Sequence, residues 1–357
     1  MKRQAPSFWI ALFLVVSICC LNVCAQEDSR RIAERIMQRP GKNIPEKPIV
    51  MGYVTSWSTG LPDPSLLTHI AYAFATVDSN FTTVTIKRPD RFKEIMNLKK
   101  TNPELKILLS VGGAGAGNFS EMADDKKLRR QFCKNLADTV KAYGLDGIDL
   151  DWEVPGQSWG ISSSPRDKHN FTLLMQDLRK SLGKKKILTF AVPHSGDFYE
   201  FKKVMKVVDF VGIMCYDMGL PERFHNALHN STPHGQRSYD DVLAHFYSLG
   251  VDPAKMVIGV PFYGRGDKKN YPDFTDYCIL SLKPGIEERY DSVAEVPYLV
   301  DTKTGEVVLT YENPRSLEAK CKWVKELGAA GMLFWHYTGD SSDHQLLNTI
   351  NRVYRNK

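Results

Sequence analysis

Short apolar runs and longer amphipathic stretches alternate along this chain from residue 49 onward. The runs are Ile49–Val54, His69–Ala75, Lys106–Val111, Gly147–Asp151, Ile187–Val192, Asp209–Met214, Met256–Pro261 and Gly331–Trp335. Each is short and rich in aliphatic or β-branched side chains, the profile of a strand buried on both faces. Between them, Lys127–Tyr143, His169–Leu182, Ser238–Leu249 and Pro314–Leu327 carry apolar residues at helical spacing, as in the series Leu317, Cys321, Val324 and Leu327. Strands alternating with helices predict an α/β fold with a parallel sheet, and eight strands is the number that closes a (β/α)8 TIM barrel. The competing open, doubly wound sheet needs a phosphate-binding turn after its first strand, and Gly52-Tyr53-Val54-Thr55-Ser56-Trp57 is not one.

The alternation breaks once. Residues 267–312, between the seventh strand and the last long helix, are more than a helix needs. They hold Val293, the run Val296–Val300 and the run Val307–Tyr311, with Thr304-Gly305 between the two runs as a plausible hairpin turn. A small β-rich insertion between strand 7 and helix 7 is expected, on the catalytic face of the barrel, where βα loops carry function. Before the first strand, residues 26–48 are polar and end in two prolines that stiffen the approach, with a short helix expected within Asp28–Gln38. Residues 1–25 have a basic start at Lys2 and Arg3, an apolar run from Phe8, and small residues before Gln26, as in a cleaved secretory signal peptide. The alternatives are a lipoprotein anchored through Cys24 and a membrane anchor, for which the apolar stretch is short. The mature chain, residues 49–357 forming the barrel, is expected to be secreted or periplasmic with no membrane span.

Composition narrows the picture further. Of 357 residues, 43% are hydrophobic and 25% charged, a globular balance. The formal charge of +6 is too mild and too evenly spread to predict a nucleic-acid partner. Four of the seven cysteines, Cys133, Cys215, Cys278 and Cys321, lie beyond residue 25 and far apart, which disfavours a zinc ribbon or a dense disulfide framework.

The chemistry concentrates in Asp146-Gly147-Ile148-Asp149-Leu150-Asp151-Trp152-Glu153. On a strand, alternate side chains share a face, so Asp149, Asp151 and Glu153 point one way and Ile148, Leu150 and Trp152 the other. In a barrel the first face is the interior. Burial and like charge both raise the pKa of such a row, so protons must be shared along it. A glycosidase needs a carboxyl that keeps its proton beside others that ionise. A calcium loop is the competing reading, but it needs a central glycine and other spacings.

At this motif the chain resembles glycoside hydrolase family 18, the chitinases and chitinase-like proteins. Asp-Gly-x-Asp-x-Asp-x-Glu is matched completely by residues 146–153. Ser110-Val111-Gly112-Gly113, Met214-Cys215-Tyr216-Asp217, Pro261-Phe262-Tyr263-Gly264-Arg265 and Phe334-Trp335 resemble further family motifs, in the same order along the chain. The resemblance implies a retaining, substrate-assisted mechanism with no protein nucleophile. Glu153 would then be the general acid. Asp151 would bind the acetamido N–H of the sugar, Asp149 would trade a proton with Asp151, and Tyr216 would hold the acetamido oxygen. Trp335 would floor the subsite, with Met214 and Asp217 lining it. Tyr53, Phe74, Ser110 and Gly113 would lie beneath or beside the carboxylates. The Tyr263 and Arg265 pair either touches sugar or fixes the insertion. No metal or organic cofactor is implied, since proton transfer and electrostatics suffice.

The chain departs from many chitinases at Ala114, where a tryptophan often follows the two glycines, and at Met218-Gly219-Leu220-Pro221-Glu222. The insertion is also shorter than the full chitinase type. The resemblance leaves three functions: hydrolysis of chitin or chito-oligosaccharides by a monomer, cleavage of the N-glycan chitobiose core or related N-acetylglucosamine glycans, and chitin binding without catalysis. The last is disfavoured because Glu153 is present.

Overall fold

The computed structural model describes residues 29–39, 45–231, 237–266 and 272–355. The expected signal peptide with Cys24, parts of the N-terminal segment, and residues 267–271 at the start of the expected insertion lie outside them. Eight parallel strands form the central sheet: β1 (Ile49–Thr55), β2 (His69–Val77), β4 (Lys106–Gly112), β5 (Gly147–Asp151), β6 (Ile187–Pro193), β7 (Val211–Met214), β8 (Met256–Pro261) and β12 (Gly331–Trp335). They pair in the order β1-β12-β8-β7-β6-β5-β4-β2, and β1 pairs with β2 to close the barrel. A short β3 (Val84–Ile86) runs antiparallel along the end of β2.

The observed strands fall within two residues of the expected ones. The largest shifts, two residues each, are at β2, which runs on to Val77, and at β7, which begins at Val211 rather than Asp209. Asp209 instead accepts from the Leu188 N–H at 2.8 Å and from Arg179 at 2.7 Å, so its side chain ties the strand approach to the neighbouring strand and helix.

Helices cover the outside of the barrel. Residues 29–37 form α1, followed by α2 (Pro89–Asn97), α3 (Phe119–Asp124), α4 (Lys126–Tyr143), α5 (Asp167–Leu182), α6 (Phe201–Val204) and α7 (Tyr239–Ser248). After them come α8 (Phe274–Leu280), α9 (Pro314–Leu327) and α10 (Gln345–Tyr354). Sequence chemistry sets the limits of the longer ones. The Asp125 carboxylate caps α4 by accepting from the Lys127 and Leu128 N–H groups, and Gly144 ends it at φ 67°, where a side chain would be strained. In α9, Asn313 and Ser316 cap each other's backbone and Pro314 occupies the first turn. Among the described residues no helix is long and apolar enough to cross a membrane.

Two apolar layers follow from the period-2 alternation of the strands. One face of each strand packs under the helices, as Ile148, Leu150 and Trp152 do, with Trp152 stacked on Phe119 at 5.2 Å. The other face fills the barrel interior with Met51, Tyr53, Leu108, Tyr216, Val257, Tyr263 and Leu333.

Between β8 and α9 the chain forms α8 and a three-stranded antiparallel sheet of β9 (Ile286–Asp291), β10 (Val296–Asp301) and β11 (Val307–Thr310), with β10 in the middle. β9 has no apolar run to announce it. It is an edge strand with a largely exposed face, so Glu287, Glu288 and Arg289 are compatible with pairing. The sheet is joined to the chain leaving β8. Arg265 N–H donates to the Thr310 carbonyl at 2.7 Å, and Thr310 N–H returns a bond to Arg265 at 3.0 Å.

Candidate active site

The C-terminal ends of the barrel strands surround a cleft of about 330 Å³. Its acidic wall comes from β5. Asp149 is fully enclosed, and its Oδ2 accepts hydrogen bonds from Tyr53 Oη at 2.9 Å and Ser110 Oγ at 2.8 Å. The strand register brings this about, because Ser110 of β4 lies directly beside Asp149 of β5. Asp151 is also buried, and its Oδ1 and that of Asp149 accept no hydrogen bond among the described residues. Both oxygens lie on successive inward positions of one strand, and a proton on either carboxyl would supply a donor there. Glu153 lies just past the end of β5, half-buried at the cleft surface.

Protonation varies along the row. Burial pushes the Asp149 carboxyl up to about 6, against the lowering effect of the Ser110 and Tyr53 hydrogen bonds. Asp151 is raised well above its ordinary value by burial, then by the charges of Glu153 and Asp149. Glu153 is pushed up to about 7 by burial and then by the charge of Asp217. Asp217 moves the opposite way. Burial alone would raise it, but His225, Arg265 and Tyr263 together hold it below its ordinary value. The site therefore sets a carboxyl that keeps its proton into the neutral range beside one that gives its proton up, the division of labour acid catalysis requires.

Close backbone approach lets the wall form. Gly112 and Gly113 have φ of +126° and +95°. A Cβ on Gly112 would lie 2.0 Å from the Asp151 carbonyl oxygen, and one on Gly113 would lie 2.7 Å from the Phe74 ring. The tight strand-to-loop turn and the contact with the cleft are thus the same feature of Ser110-Val111-Gly112-Gly113.

The opposite side is aromatic. Trp335 stacks on Phe74 at 5.7 Å and 18°, and Tyr53 packs against it at 5.6 Å. Tyr216 and Met214, from the end of β7, complete the cleft, with the Tyr216 ring edge-on to Tyr263 at 6.0 Å. The peptide bonds between Ala73 and Phe74, Glu153 and Val154, and Trp335 and His336 are cis. Arg265 Nη1 is 3.4 Å from Asp217 Oδ1. The Tyr263 and Arg265 backbones bridge to Asp273 and Thr310, so the pair reaches the acidic cluster with its side chains and holds both ends of the insertion with its main chain.

All thirteen residues singled out from the sequence gather at this end of the barrel. Gly112 and Ala114 also line the cleft, and two further residues were missed. Trp57, 58% exposed, lines the cleft with its ring 6.1 Å from Trp335 and 6.4 Å from Phe74. An aromatic residue two positions past the first strand was the only signal for it. His225 lies fully buried behind Asp217, with nothing in its local pattern to mark it.

The glycosyl hydrolases family 18 model matches residues 49–340, nearly the whole described barrel. The chain belongs to glycosyl hydrolase family 18. Chitinase A1 of Niallia circulans is 30% identical over 95% of this chain, and chitotriosidase-1 of Mus musculus 28% identical over 79%. This chain spans 61% of the length of the first and 71% of the second. Among solved structures, a family 18 N-acetylglucosaminidase from Paenibacillus barengoltzii superposes with a TM-score of 0.77 at 32% identity, covering 87% of this chain and 100% of that one. Family 18 membership accounts for the barrel and for the order of the motifs along it.

Proposed function

We propose that this family 18 protein is a chitinase-type glycosidase that hydrolyses β-1,4-linked N-acetylglucosamine in chitin or chito-oligosaccharides, with retention, through the substrate's own acetamido group. The observation that carries the reading is the row Asp149, Asp151 and Glu153, in which the outermost carboxyl holds its proton up to about 7 and the inner two are buried side by side. Glu153 donates its proton to the glycosidic oxygen as the bond to the anomeric carbon breaks. The acetamido carbonyl oxygen attacks that carbon and closes an oxazolinium ring. Asp151 hydrogen-bonds the acetamido N–H and offsets the positive charge, while Asp149, held by Tyr53 and Ser110, takes up part of the proton shared with Asp151. The Tyr216 hydroxyl keeps the acetamido oxygen in line. Water then opens the ring, with Glu153 as the base. Trp335 offers a flat face to the pyranose, and Phe74 and Trp57 extend that surface. Action outside the cytoplasm fits the N-terminal sequence pattern.

The deciding experiment incubates the protein, and its Glu153→Gln variant, with chitohexaose and with a high-mannose glycopeptide, and weighs the products. Shorter chito-oligomers from the wild type alone are expected. Cleavage of only the glycopeptide would assign the N-glycan core as substrate instead. Binding of chitohexaose with no cleavage of either would identify a lectin.

A further inference from the structure

Behind the cleft lies a buried polar cluster that the proposed reaction does not use. Glu312 and Lys320 form an ion pair at 2.6 Å with both side chains fully buried. The Glu312 carboxylate also accepts from Asn226 Nδ2 at 2.7 Å and from Ser316 Oγ at 2.5 Å. Asn226 Nδ2 donates in addition to the Tyr311 carbonyl at 2.9 Å. A buried pair is costly unless its remaining hydrogen-bonding capacity is met, and here Asn226 and Ser316 help to meet it. The cluster thereby clamps residues 225–226 to the chain leaving β11. Next to the clamp stands His225, fully buried, with neither ring nitrogen hydrogen-bonded among the described residues. Its Nδ1 is 3.7 Å from Asp217 Oδ1, longer than a hydrogen bond. Its ring lies 5.5 Å from that of Tyr263. An enclosed imidazole whose nitrogens make no close hydrogen bond is costly and calls for a reason. Asp217 itself has φ 56°, a conformation its surroundings must hold for a residue with a side chain.

We propose that His225 is a positioning residue for Asp217, and that the Glu312–Lys320 pair, acting through Asn226, holds His225 in that place. The chain leaving the insertion thus reaches the acid at one remove, by fixing the carboxylate that faces Glu153. The other groups around Asp217 are Arg265 and Tyr263 after β8, Glu153 after β5, His194 after β6 and the neighbouring Tyr216, while Arg237 faces His194. Glu222 and Arg223 share the adjoining cleft. Arg265 attracts the same carboxylate oxygen as His225. Removing His225 leaves Asp217 drawn to Arg265 and less firmly set against Glu153, so the proton on Glu153 is held less tightly.

This inference rests on the reading of Glu153 as the acid, and the test separates the two. The titration of the Glu153 carboxyl is followed by ¹³C NMR, assigned by difference from Glu153→Gln, in the wild type, His225→Leu, His225→Gln and Asn226→Ala. Circular dichroism checks that each is folded. In His225→Leu the Glu153 midpoint is expected to fall by about half a unit or more. It should fall less in Asn226→Ala and less in His225→Gln, whose amide keeps a polar group beside the Asp217 carboxylate. On chitohexaose, kcat should drop roughly 3- to 10-fold in His225→Leu with KM nearly unchanged, as misplacement near a reacting group does. A folded His225→Leu with an unaltered Glu153 midpoint and unaltered kcat would overturn the proposal and leave His225 a packing residue. If His225→Leu does not fold, Asn226→Ala decides, with the same sign expected and no shift counting against it. If the wild type cleaves no oligomer, the functional reading fails while the titration still decides the positioning.

Discussion

Glu153 and Asp149 show how one backbone segment carries two carboxyls that both keep their protons to unusually high pH. Both are raised above the ordinary carboxylate range, chiefly by burial, Asp149 to about 6 and Glu153 to about 7. The folded protein therefore holds these protons more tightly than the unfolded chain does. Their contribution to stability is complete below the ordinary carboxylate pKa of about 4 and is lost as pH rises through about 6 and 7. At neutral pH the site is thus a stability burden. Glu153→Gln is expected to raise the thermal midpoint at neutral and mildly alkaline pH, and the gap to the wild type should close in acid; melting curves across that range check it. The same substitution should remove about 10²- to 10⁴-fold or more of turnover while sparing sugar binding, because the amide keeps the shape without an acidic proton. In the wild type, kcat/KM is expected to decline above about pH 7 as Glu153 loses its proton. Asp217→Asn removes the negative charge that helps raise Glu153, so that decline should begin at lower pH, which a pH–rate profile would show.

At the scale of elements, the site depends on strand ends that approach more closely than side chains normally allow. The end of β4 reaches the Asp151 carbonyl only because Gly112 has no Cβ. Gly112→Ala would place a methyl 2.0 Å from that oxygen at a φ that alanine avoids. β4 and β5 must then part, and both the thermal midpoint and kcat should fall, whereas a purely local strain would leave kcat intact. The loop after β1 has the opposite character. Its Trp57 is exposed and meets Trp335 and Phe74 by ring contacts rather than by main-chain bonds. Stacking of this kind persists from bound substrate to transition state, so Trp57→Ala should raise KM by roughly 3- to 10-fold and change kcat little. Steady-state kinetics on chitohexaose separate the two parameters.

Across the whole molecule, barrel closure gathers these parts around one cleft. No carboxylate of the row Asp149, Asp151 and Glu153 is spared to attack the anomeric carbon on the proposed mechanism, since Glu153 is the acid, Asp151 is needed at the acetamido nitrogen and Asp149 lies deeper. Cello-oligomers and fully deacetylated chitosan oligomers should consequently remain uncleaved, and chito-oligomer products should appear first as the β anomer, which time-resolved NMR reads directly. Initial α anomer would rule the mechanism out.

The eight barrel strands were legible in the sequence because each is an apolar run whose signal is local, and Asp149, Asp151 and Glu153 were legible because their alternation on one strand is local too. Trp335, Tyr216 and Ser110 came from family resemblance, since no periodicity marks them. What only the tertiary structure decided is non-local. The polar β9 is a strand because β10 pairs with it, not because its own residues favour one. Trp57 joins the cleft because β1 pairs with β12 as well as β2, bringing the chain ends together beside Trp335. His225 and the Glu312–Lys320 pair stand behind Asp217 because the chain leaving the insertion bonds to Asn226, next to His225. Local pattern reports how one segment is buried, while the neighbours it acquires are set by closure of the barrel, where residues far apart in sequence meet.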